Sequence, residues 1–75
     1  MNTPRRIAAH TIIFAEGSTY RQHVIEILDS RVVRHYPLQQ ELPHTEWVTG
    51  TLLVDEQGVY RLTTSADGTQ HRQPL

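Results

Sequence analysis

Residues 34–47, "RHYPLQQELPHTEW", hold two histidines, two glutamates, a tyrosine, an arginine, a threonine and the only tryptophan of the chain. Side chains of these types could move protons, hold a metal or seat a small polar ligand. Three further histidines, His10, His23 and His71, bring the total to five in 75 residues. A metal site built from them would show two imidazoles at i,i+2 on a strand face or at i,i+4 on a helix. None of the five has that spacing, and His10, His23 and His35 converge only if the first three elements are neighbours. They are therefore read as partly exposed strand and loop residues, with no metal and no cofactor assigned.

Other chemistries find fewer parts. Nucleophilic catalysis requires an activated hydroxyl or thiol with a base beside it. There is no cysteine, and Ser18, Ser30 and Ser65 all fall in turn-like stretches. No lysine exists for a Schiff base, and no phosphate loop or dinucleotide fingerprint occurs. A chain this short cannot wall the cleft that paired carboxylates need. The expectation is a protein that is not an enzyme. Tyr20, Tyr36, Trp47 and Tyr60 with nearby arginines could stack bases on a sheet. Yet the aromatics are few and the formal net charge is −1, so no nucleic-acid partner is expected. Within 34–47, the preferred reading of Trp47 is an anchor that pins a loop to the core. Tyr36, His44 and Trp47 are the candidate ligand-binding residues if the stretch is a site. Glu41 and Glu46 are placed to accept loop hydrogen bonds or to pair with Arg31 or Arg34.

These groups must be positioned by short elements. Apolar runs of five to nine residues alternate with turn signals, the spacing of a small all-β protein. Strands are expected at 7–14, 20–28, 31–38, 45–54 and 59–64, with 69–75 an edge strand or a frayed tail. In the first, Ile12 and Phe14 share one face while Thr11 and Ile13 share the other. Segment 20–28 also has helical spacing at Tyr20, Val24, Ile27 and Leu28, but its β-branched residues favour strand. A hairpin with the loop Asp29–Arg31 would set Leu28 against Val32, Ile27 against Val33 and Glu26 against Arg34. Pro37 should stop ladder pairing, Pro43 should turn the chain, and Gly50 inside a strand should mark a bulge or a close backbone approach. The architecture so predicted is an antiparallel meander of five or six strands, with room for one short helical turn near 38–42. It forms a single small domain, with 1–6 and 70–75 frayed.

Seventy-five residues bury only about 60–65% of their unfolded surface, so the core is thin. A secreted chain of this size would often carry disulfides, and the absence of cysteine tilts the expectation to the cytoplasm. No apolar run approaches the length of a membrane span, and no membrane partner is expected.

The pattern Arg31-Val32-Val33, Pro37-Leu38, Glu41, Thr45-Glu46-Trp47 and Gly50 resembles that of a group of short, uncharacterised bacterial proteins. The resemblance covers residues 7–54 and implies a small β-rich fold without an assigned activity. "VIEILDSRVVRHYPL" is also similar to a hairpin in the small β-sheet subdomain that flanks the barrel of amidohydrolases, with Asp29-Ser30 in place of Asp-Gly. The barrel and its metal-binding "HxH" are absent, so only a hairpin shape carries over. The functional expectation is a structural or protein-interaction module, with a homodimer or another protein as partner. The second reading is a binding domain for a small polar ligand or a peptide strand beside Tyr36, His44 and Trp47.

Overall fold

The computed structural model describes residues 3–39 and 43–75. These build six strands, β1 (Arg5–Phe14), β2 (Thr19–Leu28), β3 (Arg31–Pro37), β4 (Thr45–Asp55), β5 (Gly58–Thr64) and β6 (Gln70–Pro74). The protein is all-β, as its alternating apolar runs predict, and segment 20–28 is a strand. The strands form one sheet in the order β3-β2-β1-β4-β5-β6. Two antiparallel meanders, β1-β2-β3 and β4-β5-β6, therefore lie side by side. They meet along a parallel pair, β1 with β4, where a continuous meander would be antiparallel throughout. A short helical turn near 38–42 falls largely outside the described residues; Leu38 and Gln39 are not helical.

Both expected frayed ends lie partly in strands. Arg5 and Arg6 pair with Ile27 and Glu26 of β2, and β6 pairs with β5 from Gln70 to Pro74. No helix of the described residues is long and apolar enough to cross a membrane.

Two-residue alternation assigns the side chains to two faces. On the core face, Ile7, Ala9, Ile12, Ile25, Ile27, Leu52, Val54 and Val59 form one buried cluster, with Phe14, Val32 and Val48 packed against it. The alternation slips once along β1, between Ala9 and Ile12. The partner strands slip at the same level. In β2, Gln22 takes a positive φ of 49° between Tyr20 and His23, and in β4 Gly50 takes a φ of 100°. The β1–β4 register shifts there, because Ala9 faces Val48 but Thr11 faces Thr51. Gly50 is thus the bulge that its place in an apolar strand predicts, and it accepts a φ that a side chain resists. His10, Gln22 and Gly50 mark one line of irregularity across the three central strands.

The β2–β3 hairpin shows how local and long-range demands are reconciled. Its turn is the pair Asp29-Ser30, both with positive φ (53° and 65°), as in the primed turns that match strand twist. Leu28 then faces Arg31 and Ile27 faces Val32, one residue away from the expected register. A bulge between Glu26 and Ile27 takes up Val33, and Glu26 faces Arg34 as expected. The bulge keeps Val32 in the core and leaves Val33 50% exposed.

A single sheet gains a dry core only by curling. Strands β3 and β5 touch although three strands separate them in the sheet. A Cβ added at Gly58, in the β4–β5 turn, would lie 3.6 Å from the Ser30 carbonyl oxygen in the β2–β3 turn. Val32 and Val59 meet the same core from opposite sides of this curl. Pro37 is the last residue of the β2–β3 register, opposite His23, yet the next amide, Leu38, still donates to the Gln22 carbonyl at 2.8 Å. The proline therefore does not itself stop the pairing. Pro43 precedes a positive φ of 55° at His44.

The β5–β6 turn is held by one carboxylate. Asp67 Oδ1 accepts from Ser65 Oγ at 2.5 Å and from the Thr69 amide at 2.9 Å. These bonds, the Ser65 hydroxyl first, hold the Asp67 carboxyl down at about 2. Because the folded value is depressed, its stabilisation is present above the ordinary carboxyl range and is lost as pH falls through about 2. An NMR titration of the Asp67 carboxyl carbon should show its midpoint near 2. A midpoint at the ordinary aspartate value would mean that the turn is not closed this way.

Candidate functional site

The outer face of the sheet carries the polar chemistry. Cross-strand register aligns Tyr36 (β3), Val24 (β2), Ala8 (β1) and Trp47 (β4) in one row. Ala8 and Val24 are buried in the middle of that row, and Trp47, at its end, is 53% exposed. Trp47 is therefore not the core anchor that its place after a loop predicted. In β4 it is Val48, Leu52 and Val54 that face the core, and alternation turns Trp47 the other way. Three strand spacings separate Tyr36 from Trp47, about 14 Å. His44 is exposed in the turn before β4. The three candidate ligand-binding residues thus include two on one face, and they do not close around a common cavity.

Next to this row lies a buried carboxylate. Glu26 is a buried charged residue, accepting a hydrogen bond from the Tyr36 hydroxyl at 2.5 Å. Arg6 Nε lies 3.7 Å from the same carboxylate. That nitrogen is itself buried without a hydrogen-bond partner, while Arg6 Nη1 donates to the Pro43 carbonyl at 3.1 Å. The Arg34 guanidinium lies over the Tyr36 ring, 5.7 Å from its centroid. Desolvation first, and then the bond to Glu26, push the Tyr36 phenol above its ordinary value, so it stays a donor. This network ties β1, β2, β3 and the entry to β4 together.

Glu46 pairs with Arg5, Nε and Nη2 donating at 2.5 and 2.9 Å, and not with Arg31 or Arg34. The paired guanidinium lowers the Glu46 carboxyl, and Arg5 is raised in turn. Glu41 lies outside the described residues.

The β4 strand has a further property that alternation does not reveal. Its pairing with β5 begins at Thr51, opposite Leu62, and runs to Asp55. Both strands continue beyond that point, β4 back to Thr45 and β5 on to Thr64. Among the described residues, no strand pairs with the outer edge of Thr45–Thr49. The β4–β5 pairing stops beside the bulge at Gly50, and β5, paired with β6, ends at Thr64, so Thr45–Val48 run beyond it.

On the core face, His23 and His35 do come together, at 2.9 Å between Nε2 and Nδ1. Tyr20 stacks on His23 with centroids 4.4 Å apart, and Phe14 lies 4.9 Å from His35. Burial, with His35 beside it, pushes the His23 imidazole below its ordinary value. His10 does not join them; its Nδ1 is 3.1 Å from Thr11 Oγ1. Among the described residues no group of three or more metal-ligating side chains occurs. A cavity of about 330 Å³ lies at the curled end, lined in part by Arg5, Ile27, Ser30, Gly58 and Tyr60, with none of Tyr36, His44 or Trp47.

Comparison with known proteins returns no matching family model, no matching curated protein and no matching solved structure.

Proposed function

We propose that this chain is a protein-interaction module that captures an extended segment of another protein along the outer edge of β4, from Thr45 to Thr49. The observation that carries the reading is the outer edge of β4 from Thr45 to Thr49, which has no strand partner among the described residues and lies beside an exposed tryptophan. Free N–H and C=O groups on a strand edge are a template for one more strand, and main-chain bonds supply the affinity in such recognition. Trp47 would supply an apolar surface for one side chain of the incoming strand. The function is binding rather than catalysis, because Glu26 and Tyr36 are committed to each other. The cysteine-free composition supports a cytoplasmic location.

The partner favoured is a separate extended chain, not a second copy. The two terminal edges, which would join copies most simply, are blunted. A bulge and Pro37 interrupt β3, and β6 is short, polar and ends at Pro74.

Linear peptides selected from a random library should shift the amide signals of Thr45–Thr49 and the Trp47 fluorescence. Analogues methylated on alternate backbone nitrogens should not bind. Selection without binders at this edge, or equal binding of the methylated analogues, would overturn the proposal. Trp47→Ala should cost about 1–3 kcal/mol of stability, since about half of this large side chain is covered, and should leave the fold intact. The same change should weaken peptide binding tenfold or more.

A further inference from the structure

We propose that the hydrogen bond between His23 and His35 is an acid-sensitive latch, which holds the C-terminal end of β3 on β2 and loosens it when both rings are protonated. The latch lies on the core face of the sheet and does not rest on the reading of the β4 edge.

The geometry allows one proton between the rings and no more. His23 Nε2 and His35 Nδ1 lie 2.9 Å apart, so one of them carries hydrogen and the other presents a lone pair. The pair takes up one further proton without breaking. His35 is exposed, and its Nε2 can hold that proton while Nδ1–H donates to His23. A second proton would set two N–H groups against each other and two positive charges on rings with centroids 5.1 Å apart. The rings must then part.

The surroundings do not offset that charge. His23 is 4% exposed. On β2 it meets the Tyr20 ring at 4.4 Å, on β1 its ladder partner is Ala9, and on β3 it meets His35, which Phe14 covers at 4.9 Å. Among the described residues neither imidazole forms an ion pair with a carboxylate. Glu46 shares the core-face row of His35, but Ile7 and Ile25 stand between them and Arg5 holds it. Arg61, opposite Leu52 on the same face, is a further cation. Burial first, and then His35, push the His23 imidazole below its ordinary value. Because the folded value is depressed, the latch is fully stabilising above the ordinary histidine range, and that stabilisation is lost as pH falls below it.

The opening is local because β3 is a terminal strand, paired only with β2. His23 faces Pro37, the last residue of the register, and the Leu38 amide bonds Gln22 just beyond it. On the outer face Tyr36 stays bonded to Glu26, so acid loosens this end without stripping the strand.

An NMR titration of the full chain is the test. The His23 ring should titrate below His10 and His71. Exchange protection of the Leu38 amide, corrected for its intrinsic rate, should fall about tenfold for a depression of one pH unit. The amides of Thr51–Asp55 should keep theirs. In His35→Gln, an exposed position, the amide gives His23 a donor or an acceptor and never charges. The His23 midpoint should therefore rise, and the acid loss at Leu38 should largely disappear. A double variant, His10→Asn with His71→Asn, should titrate at His23 as the parent does. An unchanged His23 midpoint in His35→Gln would overturn the proposal, as would an acid loss at Leu38 that this variant retains or that Thr51–Asp55 share.

Discussion

Ile25→Ala is expected to remove about 2–5 kcal/mol of stability, the range for deleting a fully buried aliphatic side chain from a packed core. Ile25 is completely buried and sits in β2, between β1 and β3, where it faces Ile7 across one ladder and His35 across the other. Two features place the cost towards the upper part of that range. Among the described residues the core face carries one small buried cluster, so few side chains can move into the cavity. Its neighbours Ile7, Ile12 and Leu52 are themselves fully buried on strands held by pairing on both sides. A domain of this length has roughly 4–11 kcal/mol in all, so one substitution removes a large fraction of the total. Urea unfolding should show a lower midpoint with little change in slope. Val33→Ala, at the exposed bulge, is the control and should stay within about 0.5 kcal/mol. Equal effects at the two positions would mean that the curl of the sheet does not enclose a core.

Glu26→Ala has the next largest expected effect, about 2–3 kcal/mol, through groups left without partners. The carboxylate is buried and accepts from Tyr36, and it is the anion beside the otherwise unpartnered Arg6 Nε. Its removal strands a hydroxyl and a guanidinium nitrogen, and the stranded cation makes the loss exceed that of one neutral hydrogen bond. Glu26→Gln keeps an acceptor for Tyr36 and removes only the charge, so it should fall between the wild type and Glu26→Ala. Tyr36→Phe should cost less than either, because Glu26 keeps Arg6. The same network predicts a pH dependence. The Tyr36 phenol is raised in the folded state, so its stabilisation is complete below the ordinary tyrosine value and is lost as pH rises through the folded one. Thermal melts from pH 9 upwards should therefore fall more steeply for the wild type than for Tyr36→Phe. Parallel curves would place the phenol outside the network.

The register of Glu26 opposite Arg34 is legible from charge complementarity across a hairpin and survives although the expected loop does not. The ion pair, however, does not form: Glu26 turns to Tyr36 and Arg6, and Arg34 lies over the Tyr36 ring. What the hairpin sequence conceals is that a two-residue turn and a bulge give the same pairing as a three-residue turn. Gly50 is readable as a bulge because glycine inside an apolar strand contributes nothing to packing and must serve the backbone. The role of Trp47 was not readable in the same way. A tryptophan after a loop suits a core, and only the alternation imposed by Val48, Leu52 and Val54 turns it outwards.

The chain's β-branched runs, turn residues and two-residue periodicity are local properties, and they were sufficient to specify an all-β fold, its strands and most of its turns. The parallel junction of β1 with β4, the meeting of His23 with His35, the burial of Glu26 and the edge at Thr45–Thr49, unpaired among the described residues, are of another kind. Each depends on which strands become neighbours and in what register. Strand pairing joins residues far apart in the chain through backbone groups that every residue carries. Residue types alone therefore leave the choice of neighbour open, and the packing of the whole sheet makes it.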